Sequence, residues 1–207
     1  MMARLAEVTG LGSVPRETFE RLKRYAALLR VEATRQNLVS AATLDSLWER
    51  HVIDSAQLVR FQPSPGASWA DIGSGAGLPG IVVAILTDGP VLLIEPRRLR
   101  AEFLNRVIGE LGLEPRVKVA VAKVERVSGQ FDVITARAVA SLGRLLEIST
   151  HLSTTNTLWV LPKGKAAQSE LAEARRNWHC SARSVPSRTD PESEILLLHD
   201  VKPRGGR

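Results

Sequence analysis

The sequence predicts an α/β protein with a doubly wound sheet. From residue 68 to residue 201, short apolar runs alternate with amphipathic stretches at helical spacing, and this alternation is typical of a sheet covered by helices on both faces. The first of these runs opens into a loop with four glycines in eight residues, 73–80. In a doubly wound sheet, ligands bind beyond the carboxyl ends of the strands. The glycine loop therefore marks the predicted ligand site.

The length and composition of the chain indicate one domain of a cytoplasmic protein. With 207 residues, the chain can bury a full core without metal or disulfide support, and its single Cys180 cannot form an internal disulfide. No Cys/His cluster has metal-ligand spacing, and no apolar run is long enough for a membrane span or a signal peptide. We expect one domain over 1–207, with N-terminal helices over 1–62, a sheet core over 63–201 and a disordered tail over 202–207.

The charge of the chain permits a nucleic-acid partner. The formal net charge is +6 and the pI is about 10.1, which favours association with polyanions but does not indicate a particular fold. Aromatic residues make up only 4% of the chain. The sequence therefore does not indicate the aromatic platform on which single-stranded nucleic acid stacks.

The first helix is predicted between Ser13 and Leu29. Its apolar residues recur at i, i+3, i+7 and i+10, and Pro15 suits its first turn. Basic residues cover its other faces: Arg16, Arg21, Lys23, Arg24 and Arg30. They are interpreted either as a solvated helix surface or as contacts to an RNA backbone.

A second helix is predicted to begin after Thr43. On this helix, His51, Asp54 and Ser55 are spaced i, i+3 and i+4, and side chains at these spacings meet on one face. His51 is interpreted either as a structural histidine hydrogen-bonded to Asp54 or as a catalytic group. The spacing alone leaves both interpretations open.

The rest of the chain alternates between predicted strands and helices. Strands are predicted at short apolar runs and helices where apolar residues recur every three to four positions, while Pro79 suits a first helical position and Gly112 a helix end. The predicted order is strand Trp69–Ile72, a helix from Pro79, strand Val91–Ile94, helix Arg98–Leu111, strand Val117–Val121, strand Phe131–Ala136, helix Leu142–Ser149, strand Leu158–Leu161, a turn at Pro162–Gly164, helix Ala167–Trp178 and strand Glu194–Val201.

The glycine loop has more than one interpretation. Residues 75–80 match the G-x-G-x-x-G of dinucleotide-binding proteins, and Glu95 follows about 20 residues further on. If the loop instead begins at Gly73, the motif is Asp-x-Gly-x-Gly-x-Gly from Asp71, which resembles the S-adenosylmethionine loop of Rossmann-like methyltransferases. A glycine turn without a ligand is the third interpretation. With either nucleotide, Glu95 is placed to accept hydrogen bonds from both ribose hydroxyls.

Several short motifs along the chain make the resemblance more specific. They are Asn37-Leu38-Val39-Ser40, Arg50 to Ser55, Asp71 to Gly80, Val124-Glu125, Ala136 to Ala140 and Lys163-Gly164. In this order they resemble the bacterial 16S ribosomal RNA guanine-N7 methyltransferases, also called glucose-inhibited division protein B. The resemblance implies a Rossmann-like sheet of the class I S-adenosylmethionine-dependent methyltransferase type, with an N-terminal helical extension.

The resemblance also assigns residues to a donor side and an acceptor side. On the donor side, it implies that S-adenosylmethionine is held by Gly73, Gly75, Gly77, Leu78, Glu95, Val124, Glu125 and Arg137. On the side of the guanine and the RNA, it implies Asn37, Arg50, His51, Asp54, Ser55 and Lys163. The catalytic residues that it implies are Arg137 and Lys163.

The reaction that the resemblance implies is a direct displacement at the sulfonium methyl by guanine N7. That nitrogen has a lone pair and no proton, so the reaction needs no general base, and the enzyme's task is to align and desolvate two bound reactants. Arg137 would orient the guanine through an acceptor of its Hoogsteen edge, where O6 and N7 lie; the plainer interpretation is a salt bridge at the end of the sheet. Lys163 is interpreted as a phosphate contact, a base contact or a solvated turn residue.

Two other functions stay open on the sequence. An NAD(P)-dependent oxidoreductase fits the glycine loop, although Tyr25 is the sole tyrosine and no Tyr/Lys pair has catalytic spacing. A noncatalytic RNA-binding module would not need a nucleoside loop. The expected partner is 16S ribosomal RNA or the small ribosomal subunit, with no membrane and no metal, and we expect a monomer.

Overall fold

A computed structural model describes residues 1–39 and 44–205 of the chain. Ser40 of the first matched motif, Thr43 before the predicted second helix and residues 206–207 of the predicted tail lie outside the described residues. Within the described residues, seven strands form one sheet. The strands are β1 Trp69–Ile72, β2 Val91–Ile94, β3 Val117–Ala120, β4 Val133–Ala136, β5 Leu158–Lys163, β6 Trp178–Pro186 and β7 Glu194–Pro203.

Helices cover both faces of the sheet. The α-helices are α1 Met2–Thr9, α2 Arg16–Ala33, α3 Gly80–Leu86, α4 Arg98–Leu111, α5 Leu142–Ser149 and α6 Ala167–Ala174. Between α2 and β1 lies a composite helical segment, made of a π-helix at Trp48–Ile53, one α-helical turn at Asp54–Ala56 and a 3-10 helix at Gln57–Phe61. We call it the 48–61 segment.

The strand order is β3-β2-β1-β4-β5-β7-β6. Strands β1 to β5 run parallel, whereas β7 is antiparallel to both of its neighbours, β5 and β6. The chain moves outwards from β1 to β3 and then returns to β4 on the other side of β1. Strands β1 and β4 therefore flank a topological switch point, where doubly wound sheets bind ligands. The predicted doubly wound α/β fold is confirmed.

Several element bounds differ from the sequence predictions. Helix α6 ends at Ala174, and Trp178 begins β6 instead of ending a helix. Pro162 and Lys163 belong to β5, where they pair with β7, and do not form a turn. Residues 202–203 of the predicted disordered tail are the end of β7, with Pro203 opposite Trp178.

The sequence does not predict β6 or α1. β6 is an edge strand whose residues alternate between exposed and half-buried, so it lacks the apolar run that marks an interior strand. α1 is a short helix in which Leu5 and Val8 are buried. Two buried apolar residues are too few to form a recognisable helical period.

The core consists of two apolar clusters on opposite faces of the sheet. In β5, for example, Val160 belongs to one cluster and Trp159 and Leu161 to the other, because side chains alternate between the faces of a strand. Helices α1 to α4 and the 48–61 segment cover the first face, and α5 and α6 cover the second. The N-terminal helices thus share one core with the sheet.

Most basic residues predicted on the first helix have carboxylate neighbours. The ion pairs are Arg21–Glu17, Lys23–Glu20 and Arg24–Glu110. Such exposed pairs each contribute little to stability. They agree with the interpretation of these side chains as a solvated helix surface. None of the helices in the described ranges is long and apolar enough to cross a membrane.

Candidate functional site

The glycine loop begins directly after β1. The strand ends at Ile72, and Gly73 has a φ of 68°, in the region that glycine enters without a Cβ clash. A Cβ on Gly73 would lie 2.6 Å from a methyl group of Val139. The dinucleotide interpretation would place Gly73 inside the strand. The observed loop therefore favours the interpretation in which the motif begins at Asp71.

Asp71 connects β1 to the far end of the loop. Its Oδ2 accepts a hydrogen bond from the amide of Gly80 at 3.1 Å, and Gly80 is the first residue of α3. A Cβ on Gly80 would fall 2.6 Å from that oxygen and against the side chain of Leu93. Pro79 lies at the N-cap position, one residue before its predicted place. The first amide of α3 thus bonds to Asp71.

The carboxyl of Asp71 is almost completely buried, with 1% of the residue exposed. Burial raises its pKa to about 7, while hydrogen bonds from Ser74 and Gly80 and the charge of Arg137 act in the opposite direction. Its Oδ1 accepts no hydrogen bond from the part of the chain that the structure describes. A buried acceptor without a donor is destabilising, and with a pKa of about 7 the carboxyl itself carries a proton at acidic pH.

Tyr25 on α2 holds the middle of the loop. The residue is fully buried, and its hydroxyl donates a hydrogen bond to the carbonyl of Ala76 at 2.8 Å. Burial raises the pKa of the phenol above its usual range. The sole tyrosine of the chain is therefore a structural hydrogen-bond donor and does not contact a ligand cavity.

Glu95, directly after β2, is the third residue that holds the glycine loop, after Asp71 and Tyr25. Its Oε2 accepts a hydrogen bond from the amide of Gly75 at 2.9 Å, and its Oε1 accepts one from the amide of Arg97 at 2.9 Å. A carboxylate has about four acceptor positions, so two remain for other donors. Glu95 also lines a cavity of about 390 Å³ at the carboxyl ends of β1 and β2, which we call the first cavity.

Four of the residues predicted for the donor side line the first cavity. They are Gly73, Glu95, Val124 and Glu125. The side chain of Val124 is buried, whereas that of Glu125 is 45% exposed and lies 3.8 Å from Arg144. Gly75 contacts Glu95 through its amide, and Leu78 packs into the first apolar cluster. Neither Leu78 nor Gly77 is among the lining residues.

Arg137 follows β4 and points towards the 48–61 segment. Its Nη1 lies 3.4 Å from Oδ2 of Asp54, and about one fifth of each side chain is exposed, 22% and 21%. Next to it, Ala138 has a φ of 55°, a left-handed conformation that costs an L-residue about 1 to 2 kcal/mol. Arg137, Asp54 and Lys163 line a second cavity of about 300 Å³. Ala138 lines both the first and the second cavity.

Lys163 is a mostly buried member of an ion pair. Its side chain is 12% exposed, and its Nζ lies 2.8 Å from Oε2 of Glu170 on α6. The same carboxylate oxygen accepts a hydrogen bond from the amide of Leu142 at 2.7 Å, and Nζ lies 3.5 Å from the carbonyl of Ala140. The interpretation of Lys163 as a solvated turn residue is wrong. Through Glu170, it links the end of β5 to the first residue of α5.

The remaining predicted acceptor-side residues are spread over three places. Arg50 and His51 line a third cavity of about 490 Å³, which also contains Asp54. Ser55 is buried, 2% exposed, and lines none of the three cavities. Asn37 lies near the first cavity instead, where its carbonyl accepts a hydrogen bond from Arg100 at 3.4 Å. Arg137, Asp54 and His51 form the compact part of the acceptor side.

His51 is electrostatically close to both members of the Arg137–Asp54 pair. Its pKa is lowered to about 4, chiefly by burial and then by the charge of Arg137, while Asp54 acts in the opposite direction. The imidazole is therefore neutral at physiological pH. A neutral imidazole near the site is compatible with a positioning role and supplies no positive charge.

Two residues of the acceptor side are missed by the sequence prediction. Gln57 and Thr189 both hydrogen-bond to Asp54 Oδ1, at 2.9 and 2.6 Å. Gln57 is three positions after Asp54, a spacing at which helical side chains meet, so the sequence contained a signal for it. Thr189 is 135 positions away, and no local pattern connects it to Asp54.

The arrangement suits a nucleoside ligand rather than a metal ion. In the described ranges, no group of three or more His, Cys, Asp and Glu side chains is placed to hold a metal. The first cavity instead offers the carboxylate of Glu95, which bonds to the amide of Gly75 in the glycine loop. These groups fit the hydroxyls and the cationic groups of a nucleoside such as S-adenosylmethionine.

Comparison with known proteins gives consistent matches over most of the chain. A family model described as rRNA small subunit methyltransferase G matches residues 18–196. The chain is 46% identical over 197 residues to the ribosomal RNA small subunit methyltransferase G of Rhizorhabdus wittichii, covering 94% of this chain and 91% of that protein. It is 44% identical over 191 residues to the protein of the same name from Gluconobacter oxydans, covering 92% and 97%.

Solved structures of lower sequence identity share the fold. A SAM-dependent methyltransferase from Aquifex aeolicus has a TM-score of 0.58 at 15% identity and covers 74% of this chain and 92% of its own. A TehB-like SAM-dependent methyltransferase from Corynebacterium glutamicum has a TM-score of 0.56 at 15% identity and covers 86% and 97%. These matches support the α/β architecture.

The close approach of Gly80 to Asp71 leads to a prediction on stability. Gly80→Ala should lower the free energy of unfolding by about 1 to 3 kcal/mol, because the new Cβ overlaps the carboxylate of Asp71. Gly109→Ala, also in a helix but with its nearest neighbour 3.7 Å from the new Cβ, should raise it by about 0.5 to 1 kcal/mol. Urea unfolding of both variants measures the difference, and equal stabilities would contradict the packing described here.

The pKa of Asp71 leads to a prediction on pH dependence. Because its pKa in the folded protein is raised to about 7, the folded chain holds a proton that the unfolded chain releases above pH about 4. The contribution of Asp71 to stability is therefore fully present below pH 4 and is lost as the pH rises towards 7. Asp71→Asn removes this loss, so its free energy of unfolding relative to the parent protein should rise between pH 4 and pH 8. A constant difference in urea unfolding across that range would be inconsistent with the raised pKa.

Proposed function

Because this chain belongs to the rRNA small subunit methyltransferase G family, we propose that it transfers a methyl group from S-adenosylmethionine to N7 of a guanine in 16S ribosomal RNA. The family match and the curated relatives both extend over most of the chain. The proposal therefore concerns the whole protein. It assigns a donor side and an acceptor side to particular residues.

The observation that supports this assignment is the pair of adjacent cavities. The first cavity, with Glu95 and Gly73, and the second cavity, with Arg137 and Lys163, both have Ala138 in their walls. They lie at the carboxyl edge of the sheet, on the two sides of the connection that follows β4, residues 137–141, which we call the β4 turn. Two reactants held in these cavities would lie on either side of Ala138, and holding reactants close together is what a bimolecular transfer requires.

On the donor side, Glu95 and the glycine loop would hold S-adenosylmethionine. When it is bound, this cofactor supplies an electrophilic methyl group on a sulfonium. Glu95 has two acceptor positions left for ribose hydroxyls, and the buried Val124 offers an apolar surface for a base.

On the acceptor side, Arg137 would hold the guanine. Guanine presents two acceptors on its Hoogsteen edge, O6 and N7, and a guanidinium provides donors in a planar fork. A donor to O6 fixes the base while N7 stays free to attack. N7 carries no proton, so no side chain has to remove one, and the neutral His51 agrees with an active site that positions its substrate.

Lys163 is proposed to maintain the shape of the site. Its ammonium is paired with Glu170 and lies near the carbonyl of Ala140, so its charge is already neutralised within the protein. The pair fixes the chain that leads from Arg137 to α5. We therefore assign Lys163 to the support of the β4 turn and not to a phosphate contact.

The same observations bear on the partner and on the alternatives. We propose that the protein acts as a monomer in the cytoplasm, on its ribosomal RNA substrate. The nicotinamide alternative loses support, because Tyr25 is buried and bonded to the loop. A noncatalytic RNA-binding module leaves the first cavity without a role.

The decisive experiment is methyl transfer to ribosomal particles. The protein is incubated with tritiated S-adenosylmethionine and small ribosomal subunits from cells that lack this enzyme, and the labelled base is identified by nuclease digestion and chromatography. Label in 7-methylguanosine of 16S RNA is expected. Label in another base, or no label with correctly folded protein, would refute the proposal.

Glu95 leads to a prediction on donor affinity. Glu95→Gln should weaken binding of S-adenosylmethionine by about tenfold or more, because hydrogen bonds to a charged acceptor contribute about 1.5 to 3 kcal/mol each. Isothermal calorimetry measures the affinity, with Glu114→Gln, an exposed position, as the matched control. An unchanged affinity in folded Glu95→Gln would remove Glu95 from the donor side.

The roles of Arg137 and His51 lead to a prediction on the chemical step. Arg137→Ala should reduce the single-turnover rate by about 100-fold, by analogy with the loss of a preorganised donor, and should cost more than His51→Gln. With a pKa of about 4 for His51, the rate at saturating donor should show no histidine-dependent limb between pH 6 and 9. A limb that disappears in His51→Gln, or a normal rate in Arg137→Ala, would reverse the assignment.

A further inference from the structure

The carboxylate of Asp54 is held by groups from two distant parts of the chain. Its Oδ1 accepts hydrogen bonds from Gln57 at 2.9 Å and from Thr189 at 2.6 Å, whereas its Oδ2 lies 3.4 Å from Nη1 of Arg137. Thr189 belongs to the connection between β6 and β7, residues 187–193, which we call the β6–β7 loop. Two donors on one oxygen fix the plane of the carboxylate. The other oxygen is thereby directed towards the guanidinium.

Gln57 fastens the β6–β7 loop to the 48–61 segment. Its side chain is completely buried. The amide nitrogen lies 3.0 Å from the hydroxyl of Ser187 and 3.2 Å from that of Thr189, and the amide oxygen accepts a hydrogen bond from the backbone of Arg188 at 2.8 Å. A buried amide with all of these partners has one preferred orientation. The position of Thr189 relative to Asp54 is thus defined from both sides.

The loop also forms part of the walls on both sides of Asp54. Ser187 and Ser193 line the second cavity, and Thr189 lines the third. Asp54 belongs to both cavities. The loop is therefore in contact with the region where Arg137 would meet the guanine, although it lies close to the end of the sequence.

We propose that Thr189 and Gln57 are positioning residues for methyl transfer, which orient Asp54 and through it hold the guanidinium of Arg137 in place for the guanine. This inference rests on the proposed function. A long, partly exposed arginine has many rotamers, and Arg137 contacts Asp54 only at 3.4 Å. The direction of the Arg137 side chain therefore depends on the orientation of the Asp54 carboxylate, which Gln57 and Thr189 hold. A small displacement of a reacting group reduces the rate of a reaction strongly.

A merely structural role for the loop makes different predictions. If the β6–β7 loop only attaches the last strands to the N-terminal helices, loss of the Thr189 hydroxyl lowers the melting temperature and leaves the transfer rate of the folded protein unchanged. If Thr189 positions Arg137, the rate falls while the affinity for S-adenosylmethionine stays the same, because the first cavity does not contain Thr189, Gln57 or Asp54.

The test compares Thr189→Val, which has the shape of threonine without the hydroxyl, with Thr189→Ser, which keeps it. At saturating donor and ribosomal subunits, Thr189→Val should lower the single-turnover rate by about tenfold, and Thr189→Ser should stay within about twofold of the parent. Thr87→Val is the matched control, since Thr87 donates to the carbonyl of Val83 at 2.9 Å and lies at the end of α3, remote from the cavities. It should leave the rate unchanged.

A double-mutant cycle and a spectrum of the free protein complete the test. If Thr189 acts through Asp54, Thr189→Val should have little further effect on the rate when Asp54→Asn is present. In the free protein, the side-chain ¹⁵N resonance of Arg137, assigned from its absence in Arg137→Lys, should shift in Thr189→Val and not in Thr87→Val. The inference would be overturned if the effects of Thr189→Val and Asp54→Asn on the activation free energy were additive, if the resonance did not shift, or if Thr189→Val kept the full rate. An inactive parent protein would instead show that the proposed function has failed.

Discussion

The glycine loop is held by three side chains, each from a different element of the fold. Asp71 of β1 bonds to the amide of Gly80, Glu95 after β2 bonds to that of Gly75, and Tyr25 of α2 donates to the carbonyl of Ala76. A loop rich in glycine has a high conformational entropy when unfolded. Here three hydrogen bonds between the loop backbone and buried side chains confine it to one shape. Without them, neither the first cavity nor the position of α3 would be defined.

The acceptor side depends on a second set of contacts, which joins the two ends of the chain. The 48–61 segment supplies Asp54 and Gln57, the β4 turn supplies Arg137, and the β6–β7 loop supplies Thr189. The sheet alone would hold Arg137 at the end of β4 but would leave the direction of its side chain open. In the proposed assignment, the N-terminal helices and the last two strands therefore complete the acceptor side in addition to covering the core.

The parts of the structure that the sequence predicts are those determined by local patterns. The glycine loop begins at Gly73 as its motif requires, and α4 has the predicted bounds because its apolar residues form one stripe ending at Gly112. The parts that it does not predict are set by tertiary contacts. Edge strand β6 has no apolar run, Lys163 is mostly buried beside Glu170, and Thr189 meets Asp54 because the β6–β7 loop packs on the 48–61 segment.

The strand order has a consequence for folding during synthesis. β5 is a row of buried apolar residues whose outer edge pairs with β7, and a ribosome produces β7 about 30 residues later. Until then, the growing chain presents an unpaired apolar strand edge, which is the kind of surface that joins other chains during aggregation. Because β6 and β7 form a hairpin, they can pair with each other first and then cover that edge in one step. The edge of β5 is therefore exposed from the synthesis of β5 until this hairpin docks.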